Sequence, residues 1–114
     1  MCREERRIYF SNPELVDAIS MFCKASGRIF PFDRSSDMSF KNASQIVVRI
    51  STEHPEPRSL EFFETEIAAG LIMLCQQKGI PVARKSLKSL ELSHGHIIFV
   101  MRSPETNPRH LVQA

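Results

Sequence analysis

The chain of 114 residues has no tryptophan, one tyrosine, three cysteines and four glycines. Each scarcity excludes something. The glycines stand alone at Gly27, Gly70, Gly79 and Gly95, so there is no glycine-rich loop of the kind that cradles a phosphate. Cys2, Cys23 and Cys75 are odd in number, and no CxxC or HxxxH spacing occurs, which argues against both a disulfide framework and a structural zinc site. The N-terminal MCREERRIYF lacks the apolar segment of a signal peptide, so a cytoplasmic chain is the expectation. Net charge is only +2. The most apolar stretch, Ile67 to Cys75, runs nine residues without a charge, far short of the ~20 that cross a bilayer, and no membrane partner is expected.

What is present centres on that stretch. From Glu64 to Gly79 the rows Phe63, Ile67, Leu71, Leu74 and Ala68, Ile72, Cys75 recur at helical spacing, with Phe62, Ala69 and Met73 on a third line. A helix apolar almost all round has to be covered on more than one side. Gly70 costs roughly 1 kcal/mol against alanine in mid-helix, a cost that makes sense if another backbone passes close to it. Two readings follow. The helix is packed inside one domain, or Phe63, Ile67, Gly70, Leu71 and Leu74 form a dimer seam.

The helix is also half of an internal repeat. Sliding the sequence by 52 positions lays Glu14–Arg49 over Glu66–Met101, matching Glu14 with Glu66, Met21 with Met73, Cys23 with Cys75, Gly27 with Gly79, Ile46 with Ile98 and Val48 with Val100. Met38 with Leu90 and Phe40 with Leu92 are conservative matches in the same alignment. Such a period dictates architecture.

Each copy reads as a helix, a glycine stop, an extended exit and a hairpin. Ser11-Asn12-Pro13-Glu14 opens the first helix with a capping side chain, a proline in the first turn and an acid at the positive end of the dipole. Ile8-Tyr9-Phe10 precedes it as an edge strand or a staple. Met38 to Ile50 forms the first hairpin; Ser89 to Met101 forms the second, turning at Ser93-His94-Gly95-His96, where Gly95 supplies a positive φ. The second helix is expected from about Arg58 to Lys78. The expected fold is thus one α+β domain of two α-β-β repeats, about residues 8–50 and 60–102, with a linker at 51–58 and a loose tail at 103–114. Their hairpins make a four-stranded, mainly antiparallel sheet with two helices on one face.

Candidate chemistry is sparse. His94 and His96 lie on one side of a strand and titrate near neutrality, but no nucleophile or carboxylate sits at a recognisable spacing from them. Cys23 and Cys75 fall near helix C-termini, where the dipole disfavours a thiolate, and read as core. No catalytic, cofactor or metal residue is therefore assigned. Charge is more informative: residues 51–77 hold five acids against Arg58, net −4, while residues 78–102 hold five bases against Glu91, net +4. Within the basic half, Arg84, Lys85 and Lys88, with Arg102 nearby, could follow phosphates or could guard a sheet edge. The resulting expectation is a non-enzymatic binding or regulatory protein working through protein–protein contacts, as a homodimer or in a small complex. The alternatives are a nucleic-acid-binding protein using residues 84–88 and a small enzyme whose site is not recognisable.

Overall fold

The computed structural model describes residues 4–42, 44–53 and 56–103. Of the expected tail at 103–114 only Ser103 is described, and His54 and Cys2 lie outside the described residues. The class is α+β, with elements in the order β1 (Glu5–Tyr9), α1 (Asn12–Ala25), β2 (Asp37–Asn42), β3 (Ile46–Thr52), β4 (Arg58–Phe63), α2 (Glu64–Lys78), β5 (Leu87–Ser93) and β6 (His96–Arg102).

The expected four-stranded sheet is replaced by two three-stranded antiparallel sheets, ordered β1-β6-β5 and β2-β3-β4. The extra strands come from segments ahead of each helix, so the repeating unit is β-α-β-β. Residues 58–63 belong to a strand and not to the first turns of α2. Leu60 and Phe62 face Ile50 and Val48 across the ladder, while Ser59, Glu61 and Phe63 point the other way. Their alternation has the period of a strand, and Phe62 is fully buried while Phe63 is 44% exposed. The expected linker at 51–58 shrinks accordingly, because β3 runs on to Thr52 and β4 begins at Arg58.

The two units exchange their first strands. Strand β1 of the first adds to β6 of the second, and β4 of the second adds to β3 of the first. One hydrophobic core runs through both, with Ile19, Leu15 and Cys23 of α1 and Ile67, Leu71 and Leu74 of α2 packed on Val48, Ile50, Phe62 and Phe99 of the sheets. Each helix is closed by residues the sequence supplies. Ser11 Oγ accepts from the Glu14 amide at 3.3 Å and the Glu14 carboxylate accepts from the Ser11 amide at 2.9 Å, a complete capping box. Phe63 has no capping oxygen, and only the Glu66 half of the exchange is present at α2, at 3.0 Å. Gly79 ends α2 in the left-handed conformation, φ +72°.

Where the helices cross, a Cβ added to Gly70 would lie 2.4 Å from the Ala18 carbonyl oxygen. Ala18 is the residue that the 52-position repeat places on Gly70, so the pseudo-twofold axis passes through this contact. Lys78 pairs with Glu14 at 3.2 Å, and Arg28 pairs with Glu66. Each pair joins the exit of one helix to the first turn of the other, so the helices run in opposite senses. The repeat register holds through the helices but fails in the last strands. Val48 faces the core, whereas Val100 faces outward and Phe99 takes the equivalent inward place. Asn42 and Ile46 pair across the first hairpin and Ser93 and His96 across the second, so the second turn is one residue shorter. A one-residue shift sends every side chain to the opposite face.

Candidate functional site

The basic segment does not converge on a site. Arg84 and Lys85 sit exposed in the turn before β5, their side chains without a polar partner among the described residues. Lys88 folds back on that turn, donating to the carbonyl oxygens of Ala83 and Ser86, both at 3.0 Å. Arg102 is engaged by Glu5 at 2.8 Å and by Glu91 at 3.6 Å. Two of the four cations are therefore occupied by the fold and two are free.

Arg102 belongs to a network covering the outer face of the sheet β1-β6-β5. On that face Glu5, Arg7 and Tyr9 of β1 and Glu91 of β5 flank Ile98, Val100 and Arg102 of the central strand. The Arg7 guanidinium reaches across β6 to the Glu91 carboxylate and also meets Glu5 at 3.4 Å. Ile98 and Val100 are thereby buried, although they point away from the helices. Arg102, followed by Arg7, holds the Glu5 carboxyl below its ordinary range. All four charges satisfy one another.

The outer face of β2-β3-β4 is built differently. Its central residue is Arg49, opposite Ser39 on β2 and Glu61 on β4. Arg49 turns toward Ser59, donating from Nη2 to Oγ at 3.2 Å, and no carboxylate lies within ion-pair distance of it among the described residues. A concavity of about 410 Å³ opens there, lined by Ser39, Arg49, Ser51, Thr52, Glu53, Pro57, Arg58 and Ser59. Arg58 contacts Glu56 at 3.3 Å. Sequence reasoning missed this cluster, although the alternation of β3 already put Arg49 on the side away from Val48 and Ile50.

On the opposite layer, the solvent side of the helices carries a groove of about 500 Å³ lined by Met21, Lys24, Ala25, Met73, Gln76 and Gln77. These six residues are three pairs related by the 52-position repeat. The match of Met21 with Met73 was legible in the sequence; that both border solvent was not, since the second helix read as apolar almost all round.

Of the seam residues, Ile67, Gly70, Leu71 and Leu74 complete their burial within one chain, against α1 and the sheets. Phe63 stays partly exposed on the outer face of β4. His94 occupies the turn with φ +52° and Nδ1 3.0 Å from Ser93 Oγ, beside Gly95 at φ +75°. Among the described residues no group of three or more His, Cys, Asp or Glu is placed to hold a metal ion. Cys23 and Cys75 are buried and unpaired, and burial pushes both thiols up from the ordinary value. Among the described residues no helix is long and apolar enough to cross a membrane. No protein-family model matches the chain, and no curated protein or solved structure is significantly similar to it.

Proposed function

We propose that this chain is a non-enzymatic binding protein that works through protein–protein contacts, with the groove across α1 and α2 as its contact surface and a second copy as its partner. The observation that carries the reading is the repeat-related lining of the groove by Met21 and Met73, Lys24 and Gln76, Ala25 and Gln77. A twofold partner uses one patch on both subunits, and a patch that already has local twofold character meets its own copy with matched shape. Methionine suits the role because its unbranched thioether adapts to an opposing surface. The near absence of a polar side on α2 adds to this, since its outer residues Ala69 and Met73 are only partly covered by the chain itself.

Nucleic acid is the weaker reading. Only Arg84 and Lys85 of the basic group are free, and few phosphate contacts give little affinity. Sedimentation equilibrium over a range of protein concentrations tests the proposal. The wild type is expected to show a monomer–dimer equilibrium, and Met73→Asp, which places a charge in the groove, is expected to shift it at least tenfold toward monomer with helix content unchanged. A wild type that is monomeric at every concentration, or a dimer indifferent to Met73→Asp, overturns it.

A further inference from the structure

We propose that the concavity around Arg49 is a binding site for a phosphate-type oxyanion, in the form of a phosphate monoester. It lies on the opposite side of the molecule from the helix groove and does not depend on the function assigned to that groove.

The two sheets serve as controls for each other, because they are built from the same β-α-β-β unit. On β1-β6-β5 the central outward position is Val100, sealed under the Arg7–Glu91 pair, with Glu5 and Arg102 completing a closed set of charges. On β2-β3-β4 the equivalent position is Arg49. Among the described residues nothing straps it, and the hydrogen bond its guanidinium makes there is to Ser59. The fork of an arginine has donors to spare and matches an oxyanion bidentately. Around it the register brings hydroxyls from all three strands: Ser39 lies directly opposite Arg49 on β2, and Ser51 and Ser59 are opposite each other one step along β3 and β4. Hydroxyl donors on a rigid sheet, together with a guanidinium that keeps donors beyond its bond to Ser59, form a neutral-plus-cationic cradle for three or four oxygens.

Arg58 stands at the rim as a second cation, partly engaged by Glu56. Glu53 is the opposing term, since it lines the same concavity. Its carboxylate weakens rather than prevents anion binding, because the guanidinium is turned to Ser59 and makes no ion pair. Glu61, opposite Arg49 on β4, lies outside the lining and is likewise not paired with it. The site is open, so affinity falls as salt rises.

Amide-resolved NMR titration with inorganic phosphate, phosphoserine peptide and glycerol phosphate tests the site in the full-length chain. Saturable shifts centred on Ser39, Arg49, Ser51 and Ser59 are expected. Arg49→Ala should weaken phosphate at least tenfold, the loss of one charge-assisted pair. Arg49→Lys should fall between, keeping the charge without the fork. Glu53→Gln should strengthen binding about twofold by removing a like charge at a solvated site. Arg49 is exposed, so these variants leave the rest of the spectrum in place. Tighter binding of the peptide than of glycerol phosphate supports the site with a phosphorylated protein as the source; equal binding supports it with a small phosphate ester. Shifts that do not saturate, that centre on Arg84 and Lys85, or that persist unchanged in Arg49→Ala overturn it.

Discussion

Two glycines in α2 and at its end show how the same residue serves opposite needs. Gly70 has ordinary helical geometry and no space, with an added Cβ 2.4 Å from the Ala18 carbonyl oxygen. Gly79 has open space and a left-handed backbone at φ +72°. Alanine at position 70 gains about 1 kcal/mol of helix propensity, but it drives the helix backbones apart and strains everything packed on them, a cost of about 1–3 kcal/mol. The backbone carbonyl cannot swing aside as a long side chain does, so the clash should win. Gly70→Ala is therefore expected to destabilise by about 1 kcal/mol net in urea unfolding, despite alanine's propensity. Gly79→Ala should cost about 1 kcal/mol through strain alone. A neutral or stabilising Gly70→Ala would mean that the helices do not approach as described. That some backbone passes close to Gly70 was legible from the sequence, since a mid-helix glycine is costly without such a reason. Which backbone was not, because the identity of the neighbour depends on how the repeats face each other.

The helices and strands differ in how much of themselves they declare. Helix α1 is announced by Ser11, Pro13 and Glu14, and the complete capping box bears that out. Helix α2 begins without a side-chain cap, and its first turn is preceded by two phenylalanines that fit a helical row as well as a strand. Only the pairing of Phe62 with Val48 decides between them, and that is a long-range contact no local pattern carries. The same holds for β1, whose place beside β6 rests on the far end of the chain. The cap of α1 also makes its stability depend on pH. The Ser11 amide, followed by Lys78, holds the Glu14 carboxyl below its ordinary value of 4.5. A carboxyl depressed in the folded state contributes stability that is fully present above its unfolded value and disappears as pH falls through the folded one. The urea midpoint should thus drop on acidification from about pH 5 downward, and Glu14→Gln should flatten that drop while lowering the midpoint at neutral pH. A variant whose midpoint falls with acid as steeply as the wild type would remove Glu14 from the account.

Strand exchange gives the fold its overall character: each β-α-β-β unit completes its partner's sheet and covers its partner's helix, so neither closes a core alone. The period of 52 in the sequence pointed to this doubling, while the different turn lengths concealed that Val48 corresponds to Phe99 and not to Val100. A chain with this organisation behaves as a dimer of units joined by residues 53–57. The second unit carries what a true dimer of itself would need. Gly70 would meet Gly70 of the other copy with more room than it now has against Ala18. Lys78, which now pairs with Glu14, would find Glu66 of the other copy, the residue that the repeat places on Glu14. Leu60 and Phe62 of β4 would lie on Phe99 and Met101 of β6 as Arg6 and Ile8 do now, replacing a charged residue by an apolar one. A fragment of residues 56–103 should therefore self-associate into a folded dimer, with loss of helix on dilution following the same concentration dependence as loss of the dimer. Circular dichroism and sedimentation on one dilution series measure both. A fragment that is folded as a monomer would show that the exchanged strands are not what completes each unit.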